Sequence, residues 1–168
     1  MASETDERQV AQLIEGELGW EELRNDVLPD PKDGQRFEVT RRLLEERVEW
    51  DNPILVPIND HLYAVGSDQG RIVTCDCGHE FCSLSDNWKH HARVRVREDE
   101  SEHRESYPEY GTPHPDWDFQ LREWFCPGCC AQLDVDAVPA GYPVEKGFEP
   151  DVDTFYEEWP GDPAPDRR

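Results

Sequence analysis

"RIVTCDCGHEFC", residues 71–82, and "REWFCPGCCAQLDV", residues 122–135, decide how this chain folds. In each, a run of β-branched or aromatic residues leads into closely spaced cysteines and a glycine. Two cysteines on a tight turn supply half of a tetrahedral thiolate site, and a second such turn supplies the rest. "CPGC", Cys126 to Cys129, is a standard half, its two intervening residues letting both sulfurs face one point. "CDCG", Cys75 to Gly78, is a shorter half with one intervening residue. Both halves close a strand, as in zinc-ribbon hairpins, and the long separation between them requires an insertion to loop out.

The spacing favours Cys75, Cys77, Cys126 and Cys129 as ligands of a structural Zn2+. Cys82 and His79 compete: a Cys77–Cys82 pairing would leave Cys75 a buried thiol, and His79 can replace a cysteine. Cys130, next to Cys129, points elsewhere and reads as a small buried hydrophobe. A redox dithiol is the chemical rival, but that chemistry needs its first thiol at a helix N-terminus in a βαβ setting. Four thiolates leave no open position for water, so the expected metal holds structure and catalyses nothing.

Outward from the cysteines the chain reads as α+β. Residues 5–23 show helical spacing of Val10, Leu13, Ile14 and Leu18, weakened by Gly16 and Gly19, with a possible capping box at Ser3. A second helix is predicted over 36–50, with Glu45, Glu46 and Glu49 on a solvated face. Short β-branched runs follow at 54–58, 62–66 and 71–75. "ARVRVRE", 92–98, alternates, with Val94 and Val96 on an apolar face and Arg93, Arg95 and Arg97 opposite. The simplest reading of that arginine row is a solvated face paired with nearby acids; the sharper one is contact with a partner's carboxylates.

His90 and His91 read as a strand-entry pair with one residue exposed. His103 and His114 fall in a polar stretch, 98–118, read as a solvated loop. The expected organisation is an N-terminal helical segment (1–52), a small antiparallel β domain carrying the zinc-ribbon-like site (53–138), and an extended, aromatic-rich C-terminal tail (139–168). That tail, with a short helix at 151–159, reads as draped over another surface.

Composition bounds the function. The 168 residues carry a formal net charge of −22 and only three lysines, Lys32, Lys89 and Lys146. Nucleic-acid binding is excluded, because phosphate contact needs clustered cations. No apolar run reaches the roughly 20 residues of a membrane span, and the N-terminus lacks a signal-peptide pattern. A cytoplasmic location follows as the expectation, where six cysteines serve as metal ligands or thiols and not as disulfides. The acidity suits a salt-rich cytoplasm, or an ordinary one in which a partner offers basic surface.

Four stretches carry a family resemblance: "CDCGHEFCSLSDNWKHHARVRVRE" (75–98), "YPEYGTPHPDWDFQLREWFCPGC" (107–129), "DVDTFYEEWPGDPAPDR" (151–167) and "DPKDGQRFEVTRRLLEERVEWDNPILVPINDHLYAV" (30–65). In order and spacing the chain resembles the γ subunit of acetone carboxylase. The resemblance implies a non-catalytic, zinc-bearing γ subunit of a heterohexamer that makes acetoacetate from acetone and bicarbonate. Hydantoinase-like α and β large subunits would be its partners, with ATP and Mn2+ used there. A related small subunit serves acetophenone carboxylation, so the ketone stays open, and a free-standing zinc-ribbon adaptor is the reading from another class. One departure stands out: the family pattern has glycine where this chain has Cys130.

Overall fold

The computed structural model describes residues 7–29, 34–106, 119–161 and 163–165. Ser3 and His114 lie outside them. The chain is α+β, with helices leading into two antiparallel sheets.

Helix α1 (Glu7–Ile14) is shorter than its hydrophobic period predicts. Gly16 takes φ +68°, and the N–H groups of Gly16 and Glu17 cap the carbonyls of Leu13 and Gln12 at 3.2 and 2.9 Å. Only glycine enters that left-handed backbone without strain, so the chain stops there. Helix α2 (Trp20–Glu22) restarts it and widens into a π-helical turn, Leu23–Val27. Helix α3 (Gly34–Glu45) ends five residues before the expected Trp50. Glu45 accounts for the stop. Its carboxylate accepts from Arg41 at 2.7 Å and from the Ile54 N–H at 2.9 Å, so it anchors the first strand and does not lie on a solvated face. Arg42–Glu7 (2.6 Å) and Arg47–Glu15 (2.9 Å) tie α3 to α1.

The first sheet runs β1 (Ile54–Pro57), β2 (Leu62–Ser67), β3 (Gly70–Cys75) and β4 (Glu80–Ser83), each hydrogen-bonded to the next. Both of its faces are covered. Tyr63 and Val65 pack with Ile54 and Leu44 beneath the helices. Leu62, Ala64, Val73 and Cys75 face the other way, against Trp124, Leu133, Val152 and Tyr156. Burial on two faces is why β1 and β2 read as unbroken apolar runs and not as an alternation.

The second sheet is β5 (Arg93–Arg97), β6 (Phe119–Phe125) and β7 (Gln132–Pro139). A 3-10 turn, Trp88–His91, precedes it, leaving both His90 and His91 exposed. The alternation in β5 is real, and Arg95 and Arg97 do pair with nearby acids, but the burial differs from the simple reading at Arg97 and at the valines. Val94 and Val96 are exposed, while Arg97 is buried with Nε 2.6 Å from Glu123 and Nη1 2.8 Å from Glu105. The cause is helix α4 (Glu100–Ser106), which lies inside the stretch expected to be a loop. Asp99 starts it by accepting from the Glu102 N–H at 3.0 Å. His103, expected in solvent, is buried against Phe119 at 4.5 Å and donates from Nε2 to the Arg97 carbonyl at 3.1 Å.

Residues 140–141 turn the chain, residues 142–151 follow without regular secondary structure, and helix α5 (Val152–Glu158) then folds back. Val152 and Tyr156 are buried in the chain's own core, and Tyr156 Oη donates to the Leu55 carbonyl at 2.8 Å. Phe155 meets Phe37 edge-on at 4.8 Å. The tail expected to drape over a partner thus closes on its own domain through α5.

Candidate metal centre

Two hairpin turns, one from each sheet, meet at the cysteines. In the β3–β4 turn, the Cys75 N–H donates to the His79 carbonyl and the Gly78 N–H to the Cys75 carbonyl, both at 2.9 Å. Gly78 holds φ +86° there. In the β6–β7 turn, the Cys126 N–H bonds the Ala131 carbonyl and the Cys130 N–H bonds the Cys126 carbonyl, again at 2.9 Å. Gly128 permits the two turns to touch. A Cβ on it would lie 3.1 Å from His79 Cβ and 3.2 Å from Cys77 Sγ.

The sulfurs of Cys75, Cys77, Cys126 and Cys129 all lie within 4.8 Å of one another. Cys75 and Cys129 are 3.8 Å apart, and Cys77 and Cys126 are 3.7 Å apart. A tetrahedron with zinc–sulfur bonds of about 2.3 Å has edges of about 3.8 Å. These separations are far longer than a disulfide of about 2.05 Å. The donor set therefore fits one tetrahedral, thiophilic ion. Cys75 and Cys126 are buried; Cys77 and Cys129 reach the surface.

Cys82 and His79 are not in this group. Cys82 sits on β4 opposite Val73, packed against the core. His79 lies edge-on to Phe81 at 4.9 Å. Cys130 is exposed and holds φ +63°. It therefore takes up the left-handed turn that the family pattern assigns to glycine, and its thiol is no buried hydrophobe.

Without a cation, the surroundings favour neutral thiols at two of the four positions. Burial pushes the Cys75 thiol well up from its ordinary value, and burial also raises Cys77. Cys126 moves down: burial opposes this, but the N–H groups of Cys129 and Gly128 and the neighbouring thiols outweigh it. Burying several thiolates together is costly without a cation to balance them. Around the group, Asp76 Oδ2 lies 2.7 Å from His61 Nδ1, and the Trp50 Nε1–H donates to the Asp76 carbonyl at 3.1 Å. Sequence reasoning missed this surrounding layer, because His61, Trp50 and Asp76 share no local motif.

The chain is a small α+β fold whose two sheets meet at paired cysteine turns, with four sulfurs close enough together to hold a metal ion. A family profile described as "Acetone carboxylase gamma subunit" matches residues 48–160, spanning both turns. A protein of that name from Xanthobacter autotrophicus is 39% identical over 160 residues, 94% of each chain. The "Acetophenone carboxylase beta subunit" of Aromatoleum aromaticum is 30% identical over 82 residues, 48% of this chain and 63% of that one. The chain belongs to the acetone carboxylase gamma subunit family. Among the described residues, no helix is long and apolar enough to cross a membrane.

Proposed function

We propose that this chain is the small zinc-binding γ subunit of a cytoplasmic, ATP-dependent acetone carboxylase, with Cys75, Cys77, Cys126 and Cys129 as its zinc ligands. The observation that carries the zinc is the gathering of four thiol sulfurs within 4.8 Å of one another, with two separations at the length of a zinc–thiolate tetrahedron's edge. Four protein thiolates close the coordination sphere, so the metal fixes structure and offers no position to a substrate. The chain is then non-catalytic. Carboxylation, ATP and Mn2+ belong to hydantoinase-like α and β large subunits in a heterohexamer, as the family resemblance implies. Support for the complex is the 39% identity across nearly the whole of a named γ subunit.

The ketone is acetone in this reading; the partial likeness to an acetophenone carboxylase subunit makes acetophenone-type ketones the second choice. One observation favours a free-standing adaptor instead: α5 packs on its own core. Co-expression with the genomic neighbours decides. We expect co-purification with two larger subunits, one zinc per chain, and acetone-dependent ATP hydrolysis by the complex. A monomer that never associates would overturn the subunit reading. Turnover of thiol substrates by the isolated chain would instead revive a dithiol oxidoreductase.

A further inference from the structure

Three large apolar side chains lie exposed on two elements that meet at the start of α3. Trp20 is 64% exposed, Leu28 49% and Trp159 48%. The carbonyl of Val27, just before Leu28, accepts from Arg36 Nη1 in the first turn of α3 at 3.4 Å. On the other side, Gly34 lies so close to the 159–160 backbone that an added Cβ would sit 3.0 Å from the Trp159 carbonyl oxygen. Leu28 and Trp159 thus flank one helix start, and Trp20 stands on the helical segment that leads to it.

Each of the three is accompanied by exposed acids. Glu21 and Glu22 follow Trp20, Asp26 lies close to Leu28, and Glu157 and Glu158 precede Trp159. On α1 and α3 the acids are neutralised: Glu38 and Glu45 by Arg41, Glu7 and Glu46 by Arg42, Glu15 by Arg47. Among the described residues, no ion pair joins Glu21, Glu22, Asp26, Glu157 or Glu158. Single exposed apolar side chains are ordinary. Leu28 and Trp159 beside one helix start, with Trp20 on the segment leading to it and more exposed acids than cations around them (Arg24 is the exposed cation there), have the apolar centre and polar rim of a binding surface. A second copy of this chain is a poor occupant, because it would set acid against acid.

Resting on the reading of this chain as a carboxylase subunit, we infer that this surface docks on another subunit of that complex. Its matching face is an apolar cleft rimmed by arginine or lysine. Trp20 is the anchor that fills the cleft, since buried tryptophans dominate such contacts. The bordering acids steer the approach and fix the orientation.

The test titrates the full-length chain onto the remaining subunits of the complex at several salt concentrations. Trp20→Ala with Leu28→Ala is expected to weaken binding roughly thirtyfold without changing the thermal midpoint of the free chain. Asp26→Lys with Glu158→Lys is expected to slow association and flatten its salt dependence. Val135→Ser, at an exposed position on β7, is expected to stay within about twofold of wild type. Wild-type affinity in both double variants, or an equal loss with Val135→Ser, overturns the inference and leaves the subunit reading intact. A wild-type chain that binds none of the other subunits overturns the subunit reading itself. Self-association of the isolated chain that Trp20→Ala abolishes shows a second copy as the occupant and also overturns the inference.

Discussion

Lys89 Nζ lies 2.8 Å from Asp136 Oδ1, inside the protein, although lysine is scarce in this chain. Its side chain is only 3% exposed, and Asp134 approaches within 2.8 Å. The ammonium also sits 5.8 and 5.6 Å from the ring centroids of Trp88 and Trp124. Trp124 Nε1–H donates to the same Asp136 carboxylate at 2.8 Å. One cation thus links the 3-10 turn after the first sheet to the β6–β7 hairpin. Lys89→Met leaves two carboxylates facing each other without it, and we expect a loss of about 3 kcal/mol in urea unfolding. Asp136→Asn costs less, because Asp134 still holds Lys89 and Trp124 keeps an acceptor.

Cys77→Ser removes one corner of the sulfur group and, on the proposed zinc reading, is expected to abolish stoichiometric zinc in metal analysis. Cys82→Ser, outside the group, is expected to keep one zinc per chain and to cost about 1 kcal/mol through poorer packing. The reverse ranking would show that the ligands are misassigned.

Cys130→Gly is expected to stabilise the protein. A side chain at φ +63° carries roughly 1–2 kcal/mol of strain. Glycine relieves it but adds about 0.5–1 kcal/mol of unfolded-state entropy. The net gain is about 0.5 kcal/mol, read as a rise in the thermal midpoint with metal content unchanged. Cys130→Ala keeps the strain and gains nothing.

Arg71 fastens α5 to the first sheet through Asp153, at 2.6 and 3.0 Å. Its hydrogen bond holds the Asp153 carboxyl below the usual aspartate range. Because the folded value is the lower one, the stabilisation is complete above the unfolded value and disappears as pH falls through the folded one. The pair is exposed, so its contribution is at most about 1 kcal/mol. Asp153→Asn should remove that part of the acid sensitivity below about pH 4 while leaving neutral-pH zinc content untouched.

A net charge of −22, with acids left unpaired around Trp20 and Trp159, predicts a salt response. Raising KCl from about 0.1 to 1 M shortens the screening length from about 10 to 3 Å. The thermal midpoint is expected to rise by roughly 3 °C or more, corresponding to about 1 kcal/mol. A flat profile would mean that self-repulsion is not limiting and that the acidity serves partner contact.

Strands β1 to β3 were legible because Ile54, Leu55, Val65 and Val73 sit in short β-branched runs between turn residues. The four clustered cysteines were legible because turn spacing limits where two sulfurs can point. Other features depend on contacts that no local period encodes. Alternation in β5 separated Val94 and Val96 from the arginines, but α4 decides which face is covered. That helix had a signal, Asp99 followed by Glu102, hidden in a stretch dominated by polar residues. Tyr156 gave no hint that its hydroxyl would reach Leu55. Cys130 showed only that the turn was unusual; its φ shows how.

The partners in the two sulfur contacts are separated by 49 and 54 residues, and among the described residues no strand pairing joins their two sheets. One face of the first sheet is covered by later residues, Trp124, Leu133, Val152 and Tyr156, so its core and its cysteine turn both wait for the second sheet and α5. Closing so large a loop costs entropy that ligation must overcome. On the proposed zinc reading, metal loading then follows the formation of both hairpins. A chain halted before Cys126 would hold Cys75, Cys77 and Cys82 as idle thiols beside a sheet face still open to water, vulnerable to oxidation until the second hairpin arrives.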